Sequence, residues 1–236
     1  MKKVLIILGF IFLNFACSQE DLIEKGENAY KNKDYTNAIK YFQQACDLNN
    51  GNGCNELGTM YTLVKKNNFK AMESYQKACD LNYKQGCSNL GFMYMLVKKN
   101  NFKAMESYQK ACDLNYKQGC SNLGFMYMLG MRTKDDKFKA IELYEKACNL
   151  NEGSSCGVVG AMYANGTYVE KNDFKAVKFL KIACDMDYAN SCVNLGGMYE
   201  NGYGVRKDIS KALKFYGKAC DLKYDTGCKN YARLKR

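Results

Sequence analysis

The chain has 236 residues, 47% hydrophobic and 25% charged, with a formal net charge of +11. That is apolar enough for a buried core and excludes a disordered chain. It contains no His, Pro or Trp; this excludes Ser-His-Asp and Cys-His catalysis, removes the commonest metal ligand, and leaves only glycine-rich turns to interrupt helices.

The chain opens on Met1-Lys2-Lys3, an apolar run from Val4 to Phe12, and Leu13-Asn14-Phe15-Ala16-Cys17. Basic residues, a short apolar run and a small residue before the cut predict a signal peptide over residues 1–16. The run is too short to span a bilayer. Cys17 directly after Ala16 admits two readings: lipidation of the new N-terminus, or ordinary cleavage nearby. Asn14 and Phe15 depart from the lipidation pattern. The expected location is exported, secreted or periplasmic, with membrane attachment only through a lipid at Cys17. Export argues against nucleic acid as the partner of the positive charge, leaving lysines on solvated helix faces or an electrostatic surface for acidic ligands.

Twelve further cysteines fall in pairs eight apart, at 46/54, 79/87, 112/120, 148/156, 184/192 and 220/228. An even set in an exported chain reads as a disulfide framework. Eight residues along one continuous helix would separate the two Cα atoms by roughly 12 Å, whereas a cystine needs roughly 4.4–6.8 Å. The chain must therefore turn back between partners, and the predicted bridges are Cys46–Cys54, Cys79–Cys87, Cys112–Cys120, Cys148–Cys156, Cys184–Cys192 and Cys220–Cys228. Spacing without CxxC or His does not resemble a zinc site, so no metal and no cofactor are expected.

The pairs recur at steps of 33, 33, 36, 36 and 36, and residues 64–96 are identical to 97–129. A fixed period of this size signals stacked repeats. A marker alanine (Ala38, Ala71, Ala104, Ala140, Ala176, Ala212) precedes each first cysteine by eight. Four residues before it stands Asp34, Asn67, Asn100, Asp136, Asn172 or Asp208. Asp and Asn cap helix N-termini, so each first helix is predicted to start there. Ala71, Tyr75, Ala78 and Cys79 illustrate its buried stripe. Each second helix carries Leu-Gly-x-Met-Tyr or a variant, as in Leu90-Gly91-Phe92-Met93-Tyr94, whose glycine predicts close approach of a neighbouring helix. The three-residue difference in period falls in the turn between hairpins. Residues 17–236 are thus expected to form a single repeat domain, with a capping helix over 20–31, hairpins at 34–66, 67–99, 100–135, 136–171, 172–207 and 208–236, and a polar end. A monomer is expected.

Lysines recur before the marker alanine (Lys70, Lys103, Lys139, Lys175, Lys211) and about two turns later (Lys77, Lys110, Lys146, Lys181, Lys218). They predict parallel ladders, either a solvated face or a surface for acidic peptides, cell-wall carboxylates or lipid headgroups.

The pattern Asp/Asn-x-x-Lys-Ala, Tyr-x-Lys-Ala and Leu-Gly-x-Met-Tyr resembles the SEL-one-like repeat, a relative of the tetratricopeptide repeat, and the added cysteine pair resembles the Helicobacter cysteine-rich protein family. The resemblance implies an all-α fold, a right-handed superhelical solenoid with one disulfide per hairpin. It also implies binding or slow hydrolysis of β-lactams, a hydrolase activity. Serine β-lactamases use Ser-x-x-Lys with Lys-Thr-Gly elsewhere. This chain offers Ser74-Tyr75-Gln76-Lys77 and its duplicate Ser107-Tyr108-Gln109-Lys110, making Ser74, Lys77, Ser107 and Lys110 the catalytic candidates, but it has no Lys-Thr-Gly. The equivalents of these serines are Tyr41, Leu143, Phe179 and Phe215, which marks a packing position. A scaffold binding a peptide, protein or cell-wall component is the favoured function, and β-lactam hydrolysis the alternative.

Overall fold

A computed structural model describes residues 19–130 and 137–236. The segment 1–16, Cys17 and the capping residue Asp136 lie outside them. The described residues pack as two compact units that divide between Leu114 and Asn115. In the first, residues 19–31 are helical (α1) and are followed by α2 (Tyr35–Asp47), α3 (Gly51–Leu63), α4 (Asn68–Asp80), α5 (Lys84–Leu96) and α6 (Asn101–Asp113). The second holds α7 (Lys117–Met128), α8 (Lys137–Asn149), α9 (Gly153–Asn165), α10 (Asp173–Asp185), α11 (Ala189–Asn201), α12 (Ile209–Asp221) and α13 (Asp225–Leu234). No strand occurs among the described residues.

Each first helix starts where a side chain catches an orphan amide. Asp34, Asn67, Asn100, Asn172 and Asp208 accept from the backbone N–H three residues on, at 2.9–3.1 Å. It ends where the residue three past the first cysteine enters the left-handed region: Asn49, Asn82, Asn115, Asn151, Asp187 and Lys223 have φ of 56–65°. In the first hairpin Asn50 N–H then reaches Ala45 C=O at 3.0 Å and Asn49 N–H reaches Cys46 C=O at 2.9 Å. This paired closure satisfies the last carbonyls and reverses the chain. Asn and Asp tolerate this conformation better than most side chains, which explains their recurrence.

The reversal brings the cysteines together. Cys46–Cys54, Cys79–Cys87, Cys148–Cys156, Cys184–Cys192 and Cys220–Cys228 are bridged, with Cα atoms 4.4–4.8 Å apart. Cys112 and Cys120 are disulfide-bonded as well. So close a crossing admits only small neighbours: Ala45, Ala78, Ala183 and Ala219 are fully buried. A Cβ added to Gly53, Gly86 or Gly227 would lie 2.5–2.6 Å from the facing alanine methyl.

The glycine of Leu-Gly-x-Met-Tyr makes the joint to the next hairpin. A Cβ at Gly58, Gly91 or Gly196 would fall 2.6–2.8 Å from the ring of Tyr75, Tyr108 or Tyr216. Burial pushes the Tyr108 and Tyr144 hydroxyls up to about 12. Short and long turns close on the same acceptor. Asn67 N–H bonds Tyr61 C=O at 2.8 Å, and Asn172 N–H bonds Tyr163 C=O at 2.9 Å. The extra three residues loop out through Gly166 and Tyr168, both at positive φ, and the joint itself is unchanged.

Candidate binding clefts

The first unit holds two clefts of one construction. One is lined by Gln43 and Asp47 of α2, Leu57 and Tyr61 of α3, and Lys70, Glu73, Ser74 and Lys77 of α4, and encloses about 310 Å³. The other is lined by Gln76 and Asp80 of α4, Leu90 and Tyr94 of α5, and Lys103, Glu106, Ser107 and Lys110 of α6, and encloses about 260 Å³. Each residue of the first has its counterpart 33 positions on in the second. Both set an amide, carboxylates, lysines and a tyrosine ring around a space at the small end of ligand-site size.

The serines keep these clefts open. In the second unit the equivalent residues are Leu143, Phe179 and Phe215, and the rings of the last two stack on Tyr163 and Tyr199 at 6.0 and 5.5 Å. A serine leaves that space unfilled above Tyr61 and Tyr94. The sequence marked this as a packing position. What it did not show is that removing the ring opens a polar recess, or that Gln43, Asp47 and Glu73 converge on it; the available signal was their recurrence as Gln76, Asp80 and Glu106.

Ser74 shares its cleft with Lys77, and Ser107 with Lys110. Each hydroxyl, however, donates into its own helix: Ser74 Oγ to Lys70 C=O and Ser107 Oγ to Lys103 C=O, both at 2.8 Å. An activated nucleophile hands its proton to a base, and an amide carbonyl is none.

The first lysine ladder faces tyrosines. Lys70, Lys103, Lys139, Lys175 and Lys211 hold their ammonium groups 4.8–5.7 Å from the ring centroids of Tyr61, Tyr94, Tyr127, Tyr163 and Tyr199, within cation–π range. In the second ladder, Lys181 pairs with Asp185 at 2.6 Å, and Lys218 pairs with Asp187 at 2.9 Å while donating to Cys184 C=O. Among the described residues no group of three or more Cys, Asp or Glu could hold a metal ion, and no helix is long and apolar enough to cross a membrane.

The Sel1 repeat family matches residues 52–83, 85–116, 117–152, 155–188 and 189–224, well over half the chain, and a tetratricopeptide repeat matches 22–52. The chain belongs to the Sel1-repeat family. A crystal structure of a Sel1 repeat protein from Oxalobacter formigenes superposes on this Sel1-repeat protein with a TM-score of 0.73 at 25% identity, covering 90% of this chain and 97% of the other. A protective antigen of uropathogenic Escherichia coli with an SLR fold gives a TM-score of 0.77 at 22% identity, over 92% of this chain and 49% of that one. HcpC of Helicobacter pylori, whose name carries a β-lactamase label, is 42% identical over 57 residues, or 23% of this chain. The chain spans about a fifth of the length of the curated relatives it matches, 20% in each. The Sel1 fold is a general protein-interaction scaffold, and cystines in this number fit an oxidising compartment.

Proposed function

We propose that this Sel1-repeat protein is an exported scaffold that binds an extended peptide, or a peptide-bearing cell-wall component, through the paired clefts of its first unit. The observation that carries the reading is the duplication of one polar recess at a one-repeat interval. A polymer with repeating amides can place equivalent groups in both, so two modest sites reinforce each other through effective concentration. Mixed lysines and carboxylates suit a zwitterionic ligand. Export rests on the predicted signal segment and the cystine framework; whether Cys17 carries lipid is read from the mass of the mature N-terminus.

The test is Ser74→Phe/Ser107→Phe, which installs the ring that Phe179 and Phe215 supply naturally. Calorimetric titration with soluble peptidoglycan fragments and mixed-sequence peptides should show binding to the oxidised wild type, lost in the variant while its helical spectrum persists. Undiminished binding would refute the cleft assignment. The HcpC label and the two Ser-x-x-Lys segments at the clefts motivate a second reading, β-lactam hydrolysis. Nitrocefin turnover that disappears in Ser74→Ala/Ser107→Ala would favour it over the scaffold.

A further inference from the structure

The edge of the first unit where α3 passes into α4, and α5 into α6, repeats one surface twice. At the first turn Leu63 and Phe69 are 61% and 75% exposed, with Lys65 and Lys66 exposed between them. At the second, Leu96 and Phe102 are 54% and 62% exposed around Lys98 and Lys99. No Asp or Glu occurs in residues 57–72 or 81–105. The two turns share a surface: Phe69, Met72, Tyr94, Lys98 and Lys103 line one open groove of about 490 Å³, with Glu73 its sole carboxylate. Phe69 and Phe102 stand in the first turns of α4 and α6, and the core does not use them.

We propose that this edge docks on an anionic lipid bilayer, its lysines against headgroups and Phe69 and Phe102 in the interface. Charge selects the occupant. Cations interleaved with aromatic and aliphatic side chains, outnumbering the lone carboxylate Glu73 of the groove, match a surface that is negative outside and apolar just beneath. An acidic protein would be met by the lysines alone, leaving the phenylalanines in water. The second unit supplies an internal contrast. Phe174 is 74% exposed there, but Glu170 and Asp173 flank it, and Lys171 is paired with Asp173 at 3.5 Å. Its edge lacks the uncompensated charge.

The experiment is vesicle co-sedimentation of the full chain carrying Cys17→Ser, which cannot be lipidated. The vesicles are phosphatidylcholine alone or with phosphatidylglycerol added. Binding is expected only to the anionic vesicles, weakened about fivefold per lysine neutralised in Lys65→Gln/Lys66→Gln/Lys98→Gln/Lys99→Gln. Phe69→Ser/Phe102→Ser should weaken it about tenfold per ring, and Phe174→Ser should leave it unchanged. These side chains are exposed, so melting curves should match the wild type. Absence of binding overturns the proposal. So does binding insensitive to the phenylalanine pair, which would mean a general polyanion surface, equal competition by soluble poly-glutamate, or a Phe174→Ser loss as large as that of the pair.

Discussion

Two neighbouring glycines of α11 isolate the packing at a hairpin joint. A Cβ at Gly196 would lie 2.7 Å from both Cδ1 and Cε1 of Tyr216, whereas one at Gly197 meets only the Tyr216 hydroxyl, at 3.6 Å. Both positions are mid-helix, so alanine gains about 1 kcal/mol of helix propensity at either. Gly197→Ala should therefore stabilise by about 0.5–1 kcal/mol. At Gly196 the same gain is set against overpacking of about 1–3 kcal/mol. The ring has little freedom to retreat, because its hydroxyl donates to Glu200 at 2.7 Å and Glu200 is held by Arg233 at 2.7 Å. The overpacking should lie toward the upper end, leaving Gly196→Ala up to about 2 kcal/mol less stable than wild type. Urea unfolding of the oxidised protein followed by circular dichroism measures both, and propensity cancels in their difference. If the two variants are stabilised alike, the glycine is not there to admit the tyrosine, and the account of the joint fails.

Closing a nine-residue loop stabilises by about 2.5 kcal/mol in the chain-entropy model, so Cys184→Ser/Cys192→Ser should lower the second unit's melting temperature by several degrees, and reductant should then change the variant less than the wild type. Asn172→Ala removes the bond to Lys175 N–H, 2.9 Å, and should cost about 1 kcal/mol in the same melt, with Asn172→Asp retaining most of it. Arg233, and after it Tyr216, hold the Glu200 carboxyl below its ordinary 4.5 by hydrogen bonding. A carboxylate with a depressed folded value stabilises above its unfolded value and loses that contribution as pH falls through the folded one. The melting temperature should accordingly drop more steeply below about pH 4.5 in wild type than in Glu200→Gln.

Much of this fold is legible because its determinants are local and repeated. The capping Asp and Asn residues, the Ala-Cys stripe and the chain reversal each lie within a dozen residues, and repetition separates them from noise. The second glycine was readable as a close approach, but not its partner; that Gly58 meets Tyr75 depends on how one hairpin seats on the next. The clefts were less legible still. Ser74 reads as a departure from an aromatic packing position, and only the stacking of Phe179 on Tyr163, 6.0 Å between centroids, shows what that departure leaves open. The lysine ladder illustrates the same limit. Spacing puts Lys70 and Lys77 on one helix face, yet it cannot show that Lys70 lies over Tyr61 of the preceding hairpin while Lys77 lines the recess.

The internal duplication separates what a repeat dictates from what its neighbours dictate. Asn67 and Asn100 share φ near −105° and ψ near 88°, and Lys70 and Lys103 both sit 5.4 Å from their tyrosine rings. Cap, joint and cystine are therefore encoded within the repeat. The identical segments starting at Lys84 and Lys117 nonetheless end differently. The first stays helical through Leu96, while the second stops at Met128, since Val97-Lys98 follows one and Gly130, at φ 67°, the other. Tyr94 is half-buried beside Ser107, yet its duplicate Tyr127 is only 5% exposed. A recess in such a protein thus belongs to a pair of repeats, open where the next hairpin brings Ser74 or Ser107 and filled where it brings Phe179 or Phe215. That is how a chain whose hairpins hold one architecture can carry open recesses at Ser74 and Ser107 and packed rings at Phe179 and Phe215.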